Sequence, residues 1–250
     1  METLVASCQF NPRLGDPRRN IDVALQLVFE AAAKGARVIV LPELCLSGRS
    51  FKSGHEAAQS AQQHDGWQSA EFTPIIREFN CHVVVGYVEL DEGCLYNSAV
   101  LLGPTGVEAN FRKHNMSGRD HMWATPGESL DMVIPTSTCR LGILIGKDVS
   151  NTNSPSGPIF REGRPLYRHG SVDVIAHPTN SPKFTSYPSD DWMTLAEATR
   201  TSVIVSNRIG VDDNTGPYGG GSCVVDRDLN VWTYGSSFDD PAVVGGRIRS

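Results

Sequence analysis

The chain predicts a single α/β domain rich in strands, and three observations carry that prediction. Short β-branched runs, Arg37 to Leu41 (RVIVL) and Arg140 to Gly146 (RLGILIG), read as buried strands. Segments with apolar residues at helical spacing stand between such runs. No linker or composition break divides the 250 residues, a length that one large domain accommodates.

The elements follow in order. Thr3 to Phe10 reads as the first strand. Asp16 and Pro17 open a helix, because proline suits a first helical turn. Ile21, Ala24, Leu25, Val28, Ala31 and Ala32 then recur on one face until Gly35 ends it. The strand at 37–41 leads into a polar stretch from Ser47 to about Gly66, then a helix to about Phe79. His82 to Glu89, Tyr96 to Leu102 and Val107 to Lys113 read as three strands, with turns at Glu92-Gly93 and Pro104-Thr105-Gly106. The second half repeats this plan. After the strand at 140–146 come a polar loop from Asn151 to Pro158, a helix from Phe160 to His169 stopped by Gly170, and a strand from Val172 to His177. Ser189 caps a helix to about Arg200 that shows Trp192, Leu195, Ala196 and Thr199 on one face. Ser202 to Asn207, Ser222 to Asp226, Val231 to Tyr234 and Val243 to Ile248 complete the strands.

Composition narrows the function classes. A formal charge of −6 without any long Lys/Arg run argues against a nucleic-acid or anionic-membrane surface. No stretch approaches the roughly 18 apolar residues of a membrane span. Met1 to Phe10 lacks the charged and apolar regions of a signal peptide. None of the six cysteines stands at CxxC spacing, so neither a zinc site nor a redox motif is expected. Reduced thiols and a cytoplasmic location follow as expectations. The Gly219-Gly220-Gly221-Ser222 run precedes a strand rather than a helix, so it lacks the helix N-terminus that binds phosphate. No nucleotide-binding GxGxxG or GxxxxGK[ST] follows any predicted strand.

Ligands in α/β proteins gather at strand carboxyl ends. Three such ends carry polar groups: Pro42-Glu43 after RVIVL, Arg112-Lys113 after VEANF, and Gly146-Lys147-Asp148 after RLGILI. Each alone is as well explained by a solvated loop residue or a cap. Their order, with LPELCLSG at 41–48, FRKHNM at 111–116, WATPGES at 123–129, HGSVDVIAHPTN at 169–180, VSNRIG at 205–210 and GGGSCVVD at 219–226, resembles the nitrilase (carbon-nitrogen hydrolase) superfamily over nearly the whole chain.

The resemblance implies a four-layer αββα sandwich and a chemistry. In that superfamily a cysteine thiolate attacks the carbon of an amide, carbamoyl or nitrile group. A glutamate serves as general base, first for the thiol and then for the water that hydrolyses the thioester. A lysine stabilises charge developing on the substrate. The resemblance places Glu43 as the base and Lys113 as the stabiliser. Asp120 takes the place of a second acid, one methylene shorter than the usual glutamate. No cofactor or metal is implied. A homodimer or larger assembly through one helical face is expected, its size left open because the chain stops just after its last predicted strand.

Position 146 departs from the pattern. The superfamily has cysteine there, and this chain has Gly146 with Asp148 still in place. Losing a covalent nucleophile costs on the order of 10⁴ to 10⁶ in turnover. Three explanations stand: an inactivated hydrolase, a natural pseudoenzyme that binds a small ligand or protein partner, or a rerouted mechanism. Cys139 lies seven residues back, roughly 23 Å away along a strand, and cannot substitute. Cys45 reads as a buried small hydrophobe. Asp148 is either a pocket residue or a structural loop acid. Arg49, where the superfamily often has tyrosine, is either a solvated loop residue or a partner for a substrate carboxylate. Asn180 is a candidate substrate-facing position or a turn residue. The Asn151–Pro158 loop is longer than the superfamily norm and either reshapes the entrance or is a surface insertion.

Overall fold

The Val- and Ile-rich runs form the strands that build two six-stranded sheets. The protein is represented by a computed structural model that describes residues 2–66, 70–128, 132–149, 160–161, 164–165, 171–182, 190–212, 215–233 and 240–249. The first sheet comprises β1 (Glu2–Gln9), β2 (Val38–Val40), β3 (His82–Asp91), β4 (Cys94–Gly103), β5 (Gly106–Arg112) and β16 (Ala242–Arg249), in the order β16-β1-β2-β3-β4-β5. The second comprises β6 (Val133–Pro135), β7 (Arg140–Ile143), β10 (Val174–Thr179), β11 (Ser202–Asn207), β14 (Cys223–Val225) and β15 (Val231–Thr233), in the order β15-β14-β11-β10-β7-β6. Both follow one plan. Three central strands run parallel, β1-β2-β3 and β7-β10-β11, and the flanking strands pair antiparallel.

Strand alternation decides which side chains go where. Val38, Val40 and Val84 point inward and meet Leu141, Ile143, Val174, Val203 and Val205 of the second sheet. Ile39, Val83 and Val85 point outward, where they pack with α1 (Pro17–Ala33) and α3 (Thr73–Phe79). Helix α1 begins as expected: the Asp16 side chain accepts from the Arg19 backbone N–H, and Pro17 occupies the first turn. Trp192, Leu195 and Ala196 of α4 (Asp190–Thr199) lie against β11 and β14 on the far side of the second sheet. The result is the four-layer αββα sandwich.

Some elements differ from the sequence reading. The polar stretch after Ser47 contains a short helix, α2 (Gly54–Ala58), capped by Ser53 and burying Ala57. The helix expected from Phe160 to His169 is not formed where residues are described. Instead β8 (Phe160–Arg161) pairs antiparallel with β9 (Arg164–Pro165). Pro165 explains this, since it disfavours helical backbone at the residue before it and has no N–H to donate. A second hairpin, β12 (Ile209–Asp212) with β13 (Thr215–Gly219), went unread because Gly and Pro interrupt its alternation. Strand β7 ends at Ile143, and Gly146–Val149 form a 3₁₀ turn rather than the strand's last residues. The Asn151–Pro158 loop and the Ser189 cap lie outside the described residues.

Candidate active site

The site is built on loops that leave three parallel strands and β5. Glu43 follows β2 in a loop that crosses directly over β3. A Cβ on Gly86 would stand 2.5 Å from the Pro42 carbonyl and 2.6 Å from the Leu44 nitrogen, so only glycine lets the loop pass this close. Lys113 follows β5 and is clamped by its own backbone: its N–H donates to Asn97 O (2.8 Å) and its carbonyl accepts from Gly127 N (2.8 Å). Gly146 opens the 3₁₀ turn after β7, and Asn180 follows β10.

These segments bring together Glu43, Lys113 and Asp120, all fully or nearly fully buried. The Lys113 ammonium donates to Glu43 Oε1 and to Asp120 Oδ2, each at 2.6 Å. Asn97 Nδ2 also donates to Glu43 Oε1, at 2.8 Å. Asp120 Oδ2 further accepts from the Ser117 backbone N–H at 3.2 Å, closing a capping box on the turn that carries it. Burial by itself would raise the Glu43 pKa, but the nearby charges of Lys113 and Arg49 outweigh it and hold the carboxyl well below the usual range. Burial would likewise depress Lys113, yet the two carboxylates keep its pKa above the ordinary lysine value.

Gly146 faces this cluster. Its φ is +50°, in the left-handed region. A Cβ there would stand 2.8 Å from Glu43 Oε2, 3.1 Å from Oε1 and 3.1 Å from Lys113 Nζ. A side chain at 146 would therefore meet the carboxylate and the ammonium together. The thiols weighed as replacements are spent elsewhere. Cys45 is buried and donates to Gly86 O (3.2 Å), with burial raising its pKa to about 12. Cys139 packs by Thr136, and burial raises its pKa to about 11.

Asp148 is buried, and backbone amides occupy both of its oxygens. Oδ1 accepts from His114 N (3.2 Å) and Asn115 N (2.8 Å), and Oδ2 accepts from Ile145 N (3.0 Å). It thereby ties the turn at 146 to the segment that carries Lys113. Burial raises its pKa to about 6 despite these three bonds.

Arg49, Ser117, Gly118, Gly146, Asn180 and Glu43 line a cavity of about 300 Å³, with Lys147 and Asp191 also on its wall. Asn180 Nδ2 donates to Glu43 O (3.0 Å), which leaves its buried Oδ1 without a partner among the described residues. The Arg49 guanidinium donates to Ser117 Oγ (3.0 Å), Ser117 O (3.3 Å) and Asn180 O (3.4 Å).

Sequence reasoning passed over three residues here. Asn97 was legible as a polar residue inside the apolar strand LYNSAV, and Ser117 as part of the segment after FRKHNM. His177 sits in the second strand of the parallel core and packs edge-on to Trp192. Its Nδ1 bonds Leu144 O (2.8 Å), two residues before Gly146. Burial lowers its pKa to about 4. Among the described residues no group of three or more His, Cys, Asp or Glu is placed to hold a metal, and no helix is long and apolar enough to cross a membrane.

A carbon-nitrogen hydrolase family model matches residues 4–238. The chain belongs to the carbon-nitrogen hydrolase family. Among relatives of this family, a nitrilase of Pyrococcus abyssi is 32% identical over 177 residues, covering 70% of this chain and 64% of its own length. The chain thus spans just under two thirds of that nitrilase. An (R)-stereoselective amidase of a Pseudomonas species is 27% identical over 218 residues, covering 87% of this chain and 75% of its own length. An amidase from Nesterenkonia sp. AN1, solved in complex with acrylamide, superposes with a TM-score of 0.81 at 20% identity, over 99% of this chain and 91% of its own. That amidase has also been seen with acrylamide added to its active-site cysteine.

Proposed function

We propose that this carbon-nitrogen hydrolase family protein takes a small amide, carbamoyl or nitrile compound at Glu43, Lys113 and position 146, and that Gly146 leaves it without the covalent step. The observation that carries the reading is the meeting point at 146. An added Cβ there stands about as close to the Glu43 carboxylate as to the Lys113 ammonium. In a member with a thiol at this point, the sulfur would bond the substrate carbon, the amine would leave with a proton, and water would then cleave the thioester. Lys113 would stabilise the developing charge, and Glu43 would handle the protons.

Without the thiol, direct attack by a water held by Glu43 is the remaining route. It is a poor one, because a carboxylate held far below neutral pH is a weak base. Turnover lower by about 10⁴- to 10⁶-fold is the expected consequence. The second reading is a pseudoenzyme that binds a ligand without turnover, favoured by the closed Glu43–Lys113–Asp120 cluster. The family resemblance also implies self-association, which sedimentation equilibrium would read as a mass above that of one chain.

The test compares the protein with Gly146→Cys on propionamide, acrylamide and propionitrile. Glu43 Oε2 is the far end of a rotatable side chain, so it can yield to the new Cβ. Ammonia release by the variant, with none above background from the parent, is the expected result. Comparable release by the parent would refute the loss of the covalent step. A folded variant that hydrolyses none of the three would refute the assignment of position 146.

A further inference from the structure

Gly146 lines the cavity of about 300 Å³, so the point where a side chain would stand is open to a small solute. That point is polar on two sides, since an added Cβ lies 2.8 Å from Glu43 Oε2 and 3.1 Å from Lys113 Nζ. A solute is not tied to the Gly146 backbone and can sit farther toward the cavity. Both neighbours are also the far ends of long side chains, which can yield.

Each side has bonding capacity to offer. Lys113 spends two N–H groups on Glu43 Oε1 and Asp120 Oδ2 at 2.6 Å each, but its third contact, to Ser117 Oγ, is 3.4 Å long. A donor held that loosely turns readily to a better acceptor. Glu43 Oε1 accepts from Lys113 and Asn97, whereas Oε2 accepts from neither. A solute beside Gly146 thus meets a cationic donor and a carboxylate acceptor within the width of one atom.

That pair suits a small anion that carries a single hydrogen. Hydrosulfide is such a group: its sulfur accepts from Lys113 and its S–H donates to Glu43 Oε2. Hydroxide has the same form but is scarce at neutral pH, where dissolved sulfide is substantially ionised. Hydrosulfide also removes the difficulty that water meets here. Lys113 and Arg49 hold Glu43 well below the usual carboxylate range, so it is a weak base, and hydrosulfide arrives already deprotonated. Ionised sulfur is in addition the stronger nucleophile.

Resting on the reading of position 146 above, we infer that the protein takes hydrosulfide as a co-substrate beside Gly146 and converts small amides to thiocarboxylates. The sulfur bonds the amide carbon while the carbonyl electron pair moves onto oxygen beside Lys113. The S–H proton of this adduct passes through Glu43 Oε2 to the nitrogen. The C–N bond then breaks, ammonia leaves and the carbonyl re-forms. One amide and one hydrosulfide give one thiocarboxylate and one ammonia, with nothing oxidised or reduced.

The test incubates the parent protein with propionamide, with and without excess sodium sulfide, beside a protein-free blank. Sulfide is expected to raise ammonia release by roughly tenfold or more, with thiopropionate detected by mass spectrometry. Gly146→Ala, whose methyl group takes the sulfur's place, is expected to lose the response. Gly146→Cys carries its own sulfur and is expected to work equally with or without sulfide. No rise in the parent, or an equal rise in a folded Gly146→Ala, would overturn the inference. If Gly146→Ala does not fold, stimulation of Gly146→Cys by sulfide as large as that of the parent overturns it instead. The two readings fail separately. An active Gly146→Cys beside a parent that ignores sulfide removes only the co-substrate, whereas inactivity of both removes the assignment of position 146 as well.

Discussion

At Gly146 conformation and chemistry pull in opposite directions. The backbone there is left-handed, which costs a residue with a Cβ about 1–2 kcal/mol. The nearby carboxylate must also move to admit the new atom. A cysteine at 146 is therefore bound to be less stable than glycine, even where it adds reactivity. Gly146→Cys is expected to unfold at lower denaturant, by about 1–2 kcal/mol, with an unchanged slope. A variant as stable as the parent would show that the turn relaxes out of its left-handed geometry. The same residue shows how far sequence reading reaches. The order of motifs is what leads us to propose Gly146 as the nucleophile position. That its place lies within contact of both Glu43 and Lys113 depends on three loops that only the folded chain brings together.

One element up, the turn Gly146–Val149 and the Leu144 carbonyl just before it are held by two titrating groups, Asp148 and His177, that oppose each other. Folded Asp148 keeps its proton up to about pH 6, whereas its ordinary value is 3.8. Between these values the folded state holds a proton that the unfolded chain lacks, so this group's contribution to stability falls as pH rises. His177 behaves in the reverse sense. Its folded pKa of about 4 lies below the ordinary 6.5, so its contribution falls as pH drops through that interval. The two slopes offset one another between about pH 6 and pH 4.5. Asp148→Asn removes the first. That variant is expected to lose about 1.4 kcal/mol per pH unit across this window relative to the parent, measured by urea midpoints at several pH values. Parallel curves for the two proteins would refute the opposing pair. Asp148 also illustrates an ambiguity of sequence. Its position suited either a pocket residue or a structural acid, and the choice turns on three backbone amides from 114, 115 and 145.

For the whole molecule, stability rests on the apolar layer between the two sheets. Leu141 is fully buried there. Leu141→Ala is expected to cost about 2–5 kcal/mol in denaturant unfolding, because the rigid strands on both sides cannot close the gap. A cost below about 1 kcal/mol would mean that the layer collapses around the cavity. Polar links also cross this layer. The Ser7 hydroxyl of β1 donates to Val205 O of β11, and the Ser206 hydroxyl of β11 donates to Cys8 O of β1. Each lies in an apolar run, and nothing local marks it as a bridge between sheets.

By itself, the sequence determined most strands of the two large sheets, the first helix and the polar positions that follow β2 and β5. Those features arise from local apolar periodicity and from short-range caps such as Asp16-Pro17. It also supplied the order of motifs from which we propose Gly146 as the nucleophile position. Only the tertiary structure decided what the polar groups do. The direction of a loop side chain depends on backbone turns such as Leu44 at φ 51° and on partners far away in the chain. Asn97 reaches Glu43 across the sheet, and Asp212 holds the Arg49 loop. For the same reason Arg49, equally readable in sequence as a solvated residue, stands at the cavity wall: its partners come from segments near 117, 180 and 212 that meet only after the two sheets have packed.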